Sequence, residues 1–130
     1  MDPARLKTIP VFADLRDEEL GHIAALAAEV SVPESKELVR EGDYSYDVLA
    51  IEEGTARVER AGETIAELGP GDVFGEMGVL KREQRNATVV ATSPMMLVTL
   101  TSWDIRKLRK STPEVVEHLR SVVEQRKEHA

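Results

Sequence analysis

The sequence predicts an α+β fold: an antiparallel β jelly-roll barrel set between an N-terminal helix and two C-terminal helices, with a short helix inserted late in the barrel. Three observations carry that expectation. Apolar residues recur at helical spacing only towards the two ends of the chain. The stretch between them, 33–101, breaks into short runs rich in β-branched residues, separated by glycine turns, which is the pattern of an antiparallel barrel or jelly roll. A length of 130 residues suits one hydrophobic core. The chain therefore reads as one domain, 1–130, with a helical lead-in (1–32), a β barrel (33–101) and C-terminal helices (102–130).

The elements follow in order. Over 14–30, Leu20, Ile23, Ala24, Ala27 and Val30 share one helical face, and Asp14 or Asp17, followed by Glu18 and Glu19, gives the acidic start a helix dipole favours. His22 falls at or off the edge of that stripe and reads as a solvated imidazole. The expected strands are Leu38-Val39-Arg40, Val48-Leu49-Ala50-Ile51, Ala56-Arg57-Val58, Thr64-Ile65-Ala66, Ala87-Thr88-Val89-Val90-Ala91 and Met96-Leu97-Val98-Thr99-Leu100. Between them Glu41-Gly42-Asp43, Glu53-Gly54, Ala61-Gly62 and Gly69-Pro70-Gly71-Asp72 supply turn glycines. Ser102 is the expected N-cap of a helix over 103–110, and Thr112-Pro113 opens another that runs to the C-terminus. In that last helix Val115, Val116, Leu119, Val122 and Val123 form an apolar stripe, with Glu117, Arg120, Glu124 and Lys127 on the other faces.

Composition removes several classes of function. The 17 basic and 24 acidic residues leave a net charge of -7, which opposes general affinity for nucleic acid or an anionic membrane. Cysteine is absent, so disulfides, thiolate metal sites and cysteine nucleophiles are excluded together. His22, His118 and His129 lack metal-ligand spacing, so no metal is expected, and no serine sits in a nucleophile elbow. The chain reads as a non-enzyme without a cofactor. No apolar run suits a membrane helix and the N-terminus lacks the order of a signal peptide, so a cytoplasmic location is expected. Arg106, Lys107, Arg109 and Lys110 read as a solvated helix end whose cations complement the dipole, with no helix-turn-helix module expected beyond.

Chemistry concentrates in 69–80, where four glycines and a proline precede an apolar turn, favouring a tight turn that leads into a short helix. Free N–H groups at such a helix start bind phosphate oxygens even on an acidic protein. Arg85, nine residues after Glu76, offers a planar guanidinium that holds two oxygens of one phosphate, while Glu76 offers an acceptor for a sugar hydroxyl. The three devices together describe a sugar phosphate, although glycine turns followed by a charge also serve as plain connections in many barrels. The glycines do not form a dinucleotide fingerprint, and no lysine follows them as in a nucleoside-triphosphate loop.

Phe74-Gly75-Glu76-Met77 followed by Arg85-Asn86-Ala87-Thr88-Val89 closely resembles the phosphate-binding cassette of cyclic-nucleotide-binding domains. That family includes the cyclic-nucleotide-dependent kinases, cyclic-nucleotide-gated channels and catabolite-activator-type regulators, and the Glu76-to-Arg85 spacing resembles the kinase and channel version more. Ile9-Pro10-Val11-Phe12, Glu41-Gly42-Asp43, the Gly54 turn and Gly69-Pro70-Gly71-Asp72 resemble the family's recurrent elements in its order. The resemblance implies that Glu76 accepts the ribose 2′-OH, that Arg85 pairs with the cyclic phosphate, and that backbone groups of Gly75, Met77, Asn86 and Ala87 complete the cage. It makes Val58, Leu68 and Phe74 candidates for the barrel wall around sugar and base, with an ordinary core role equally open to them. Gln84 stands where the family often has proline, a change expected to loosen the loop. Asn86 stands where the family usually has alanine, serine or threonine, and a hydroxyl there favours cGMP; the Asn86 amide offers both a donor and an acceptor.

The implied function is a sensor that binds cAMP, or alternatively cGMP, and changes the posture of its C-terminal helices, acting on a protein partner or effector domain in another chain. The stripe beginning at Val115 then serves as a lid, as packing on the barrel, or as the seam of a homodimer. The competing reading is a ligand-free domain of the same fold used for dimerisation or docking; such domains usually lack the glutamate or arginine that this chain has at 76 and 85.

Overall fold

A computed structural model of the chain describes residues 1–44, 47–74 and 84–126, apart from the side chains at 11, 119 and 122–126. The lead-in opens with α1 (Pro3–Lys7), where the Asp2 carboxylate accepts the Ala4 N–H at 2.9 Å and Pro3 takes a first-turn position that has no intrahelical N–H to lose. A 3₁₀ turn, Pro10–Phe12, leads to α2 (Asp17–Leu26). In α2 the carboxylate of Glu19 accepts the Arg16 N–H at 3.0 Å, and this bond holds the Glu19 carboxyl below its ordinary pKa.

Eight strands follow: β1 (Ala28–Val32), β2 (Glu37–Val39), β3 (Asp47–Glu53), β4 (Ala56–Arg60), β5 (Glu63–Leu68), β6 (Val73–Phe74), β7 (Thr88–Ala91) and β8 (Met95–Thr101). They form two four-stranded antiparallel sheets, ordered β1-β8-β3-β6 and β2-β7-β4-β5, as expected for the jelly roll. The chain closes with α3 (Ser102–Ser111) and α4 (Pro113–Arg126). Among the described residues no helix is long and apolar enough to cross a membrane. The short helix expected after Phe74 falls at 75–83, outside the described residues.

Strand alternation builds two cores on either side of one sheet. Leu49, Ile51, Phe74, Met95 and Leu97 face inward against Val58, Leu68, Val89 and Ala91 of the opposite sheet. The alternate residues Ala50, Val73, Val98 and Leu100 face outward against Leu6, Ile9, Phe12, Leu20, Ile23, Ile105, Leu108, Val115 and Val116 of the helical layer. Period-two alternation on a sheet buried on both faces explains why these strands read as nearly continuous apolar runs. Full burial of a side chain such as Ile51 or Phe74 contributes about 1.5–3 kcal/mol.

Besides shifts of a residue or two at strand ends, such as Arg40 after β2 and Ala87 before β7, two boundaries differ from the sequence reading. The helix expected over 14–30 is α2, which ends at Leu26, and Ala28–Val32 form β1, paired with β8 through Ala28↔Thr99 and Val30↔Leu97. Val30, expected on the helix stripe, is instead a 39% exposed strand residue. The run Glu29-Val30-Ser31-Val32-Pro33 places β-branched residues two apart and then proline, which suits a strand better than another helical turn. At α3 the N-cap is Thr101, not Ser102. The Thr101 hydroxyl accepts the Asp104 N–H at 3.2 Å and the Asp104 carboxylate accepts the Thr101 N–H at 2.8 Å. With Ser102 as cap, the reciprocal third position would be Ile105, which has no acceptor.

An ion cluster ties α1 to the outer face of this sheet. Arg5 pairs with Glu52 of β3 and, at 3.3 Å, with Glu29 of β1. The Glu52 side chain is 7% exposed, and burial, with the Glu29 charge beside it, pushes its carboxyl up despite Arg5. A carboxyl whose pKa is raised on folding contributes stability that is present below the unfolded value and lost as pH rises through the folded one. Glu52→Gln, which fixes the neutral form, is therefore expected to raise the melting temperature more at pH 8 than at pH 5. Melting curves at the two pH values check this; an equal or larger gain at pH 5 would refute it.

Candidate functional site

The predicted site residues begin at the end of β6, where Phe74 is fully buried in the barrel core with Val58 and Leu68. These three fill the interior behind the site; among the described residues, none of them lines the surface cleft described below. The turn leading into β6 is built as its sequence suggests. Gly71 takes φ +94°, which glycine adopts without strain, and the Asp72 carboxylate accepts the Gly69 N–H at 2.8 Å. Gly75, Glu76 and Met77, assigned to the sugar and phosphate, lie outside the described residues.

The chain resumes at Gln84, and Arg85 is the best-defined polar group of the site. It is 6% exposed although charged. Its backbone is clamped to the turn after β2: the Arg85 N–H donates to the Asp43 carbonyl at 2.6 Å, and the Gly42 N–H donates to the Arg85 carbonyl at 2.9 Å. Gly42 takes φ +89°, so only a residue indifferent to the left-handed region serves there cheaply. The guanidinium Nη2 donates to the Asp47 carbonyl at 2.8 Å at the start of β3. Burial pushes the Asp47 carboxyl up, the Arg85 charge opposes that shift, and Asp104 of α3 adds to it.

Arg85 lines a cleft of about 170 Å³ together with Leu38, Val39, Tyr44, Asp47 and Leu49. Arg40 and Asp43 complete the lining, so the cleft sets the apolar Leu38, Val39 and Leu49 beside a polar wall on which the buried Arg85 guanidinium can meet an anionic group. Of the neighbours expected to complete the cage, Ala87 is fully buried and Asn86 is exposed, its carbonyl accepting Arg60 Nε at 2.9 Å. Gln84 is itself anchored. Its side-chain amide donates to the Gly42 carbonyl at 2.8 Å and its backbone bridges Tyr44, so it fastens the segment where a proline could not.

The opposite wall of the cleft went unassigned in the sequence reading. Asp43, Tyr44 and Asp47 lie some forty residues from Arg85, and only antiparallel closure brings them together. The Glu41-Gly42-Asp43 turn was the available signal. Asp47 also faces Thr101, the cap of α3, across the β3–β8 ladder, so the cleft wall runs directly into the C-terminal helices.

Comparison with known proteins agrees with this architecture. The family model for the cyclic nucleotide-binding domain matches residues 29–112. A cyclic nucleotide-gated potassium channel of Mesorhizobium japonicum is 33% identical over 119 residues, which cover 92% of this chain and 33% of the channel. The cyclic AMP receptor protein of Thermus thermophilus is 29% identical over 126 residues, covering 93% of this chain and 58% of that protein. The chain thus spans about a third of the channel and somewhat over half of the receptor protein. The crystal structure of the Thermus thermophilus catabolite activator protein superposes with a TM-score of 0.79 at 30% identity, covering 90% of this chain and 57% of that one. A barrel with a buried arginine at its cleft and a family match across most of the strands give one conclusion: the chain belongs to the cyclic nucleotide-binding domain family.

Proposed function

We propose that the chain binds a 3′,5′-cyclic purine nucleotide, cAMP in preference to cGMP, as a regulatory sensor that repositions its C-terminal helices rather than as a catalyst. The observation that carries this reading is Arg85, a 6% exposed cation on the cleft wall, its backbone bonded to Gly42 and Asp43 and its guanidinium to the Asp47 carbonyl. The planar guanidinium, held in place by those bonds, can take two oxygens of one cyclic phosphate at once. Glu76 takes the ribose hydroxyl in this reading, and backbone groups of Gly75, Met77, Asn86 and Ala87 complete the cage. The preference for cAMP is supported by the likeness to the cyclic AMP receptor protein of Thermus thermophilus, since the Asn86 amide has a donor and an acceptor to offer either base.

Helix repositioning is supported by Asp47, which joins the Arg85 cluster to Thr101 at the start of α3. A ligand shifts the helices only through different affinities for their two postures, a coupling typically of about 1–3 kcal/mol. The output then passes to a partner protein or effector domain. Calorimetry with cAMP and with cGMP tests the reading, and saturable heat with tighter binding of cAMP is expected. Heat with neither nucleotide at about millimolar concentration would remove it. Truncation after Glu117, which keeps the buried Val115 and Val116, is expected to weaken affinity if the rest of α4 acts as a lid; an unchanged dissociation constant assigns it to packing or to a homodimer.

A further inference from the structure

Helix α3 carries a surface that the nucleotide site does not use. One face is buried through Ile105 and Leu108, 6% and 1% exposed. The opposite face presents Trp103, Arg106, Lys107 and Lys110, spaced i, i+3, i+4 and i+7, and all four are exposed. Trp103, the only tryptophan of the chain, is 68% exposed, with the Arg106 guanidinium 5.0 Å from its ring centroid. Among the described residues, none of these three cations is ion-paired. Beside Lys107, between α2 and α3, lies a cleft of about 270 Å³ walled by Ala25, Leu26 and Leu108, with His22 on its border.

A solvated helix end accounts for Lys107 and Lys110, whose charges complement the C-terminal dipole. It does not account for Trp103 and Arg106, which lie in the first half of the helix, outside the reach of that effect. An indole left in water forfeits the largest apolar burial a side chain offers, and exposed tryptophan beside arginine is the composition of an interface anchor. The sign of the partner follows from charge. Three unneutralised cations stand on one face of a chain whose net charge is -7. An extended anion such as a membrane or a nucleic acid meets the whole acidic protein, whereas a short acidic segment meets only this face, since screening confines interactions to about 8 Å at physiological salt.

We propose that this face docks an acidic amphipathic segment of a protein partner, its carboxylates meeting Arg106, Lys107 and Lys110, one apolar side chain covering Trp103 and another entering the α2–α3 cleft beside Lys107. The docking does not depend on nucleotide binding. The probe is a fluorescein-labelled synthetic helix with glutamates on one face and leucine and phenylalanine beside them, titrated with the full chain. A saturable rise in anisotropy and a blue shift of Trp103 emission are expected, with affinity falling severalfold between about 50 and 200 mM salt. Trp103→Ala and the double variant Lys107→Glu/Lys110→Glu are each expected to weaken binding by about tenfold or more with melting temperature unchanged. No saturable signal at about 1 mM peptide, or undiminished binding by the folded variants, overturns the proposal. Tighter binding of phosphatidylserine vesicles or of duplex DNA than of the peptide also overturns it, as does a homodimer in sedimentation that charge reversal abolishes.

Discussion

Replacing Arg85 with alanine is expected to weaken cAMP binding by about thirtyfold or more, because removing one partner of a buried charge pair costs about 2–5 kcal/mol. The argument rests on the position of the guanidinium: 6% exposed, on the cleft wall, and fixed by bonds on both its backbone and its side chain. Its geometry is therefore set before ligand arrives, and little affinity goes into ordering it. Arg85→Lys separates the two properties of the group. It keeps the charge and loses the planar fork, so an intermediate loss is expected. Calorimetry of the three proteins decides the matter, and wild-type affinity in folded Arg85→Ala would show that the phosphate lies elsewhere.

The same substitution has a second, ligand-free consequence. The Arg85 charge opposes the upward push of burial on the Asp47 carboxyl. Without it that carboxyl moves further up, and stability held below the unfolded carboxyl value is lost over a wider range as pH rises. Arg85→Ala is thus expected to lose more melting temperature at pH 8 than at pH 5. Measuring both arms distinguishes a binding defect from a folding defect.

Much of the barrel was legible in the sequence because its strands announce themselves locally. Val48-Leu49-Ala50-Ile51 and Met96-Leu97-Val98-Thr99-Leu100 lie within β3 and β8, and the glycines at 42, 54, 62 and 71 all take positive φ. β1 was missed because Val30 continues the spacing of the preceding helix, which hid the alternation of Val30 and Val32 before Pro33 that its pairing with β8 uses. β6 is two residues long, too short for any periodic signal. At the site, Arg85 was legible from its place in a motif, but Asp47 and Tyr44 were not, because their relation to it is created by closure of the barrel. Gln84 shows a subtler limit. Its sequence context gave a lost proline, and the hydrogen bond that replaces it needs the Gly42 carbonyl from another turn.

The largest expected effect on stability away from the cleft is at Gly54, between β3 and β4. It takes φ +94°, and a Cβ there would stand 2.4 Å from the Pro94 carbonyl oxygen and 2.9 Å from the Met95 Cα. Both obstacles are backbone. They cannot rotate away, because Met95 is 3% exposed in the barrel core and the Thr92 N–H donates to the Thr55 carbonyl at 2.9 Å, clasping the two turns together. Gly54→Ala therefore carries two costs, about 1–2 kcal/mol for the left-handed conformation and about 1–3 kcal/mol for the clash. A loss of about 3 kcal/mol is a large share of the 5–15 kcal/mol that holds a typical domain, and lowers its melting temperature by about 10 °C. Gly62→Ala isolates the first cost. Gly62 takes φ +81° with nothing within 4 Å of an added Cβ, so that variant is expected to lose only about 1 kcal/mol. Denaturant titration of both separates strain from collision: equal losses would mean that the Pro94 turn yields, and that the two sheets are joined more loosely at this end than their hydrogen bonds imply.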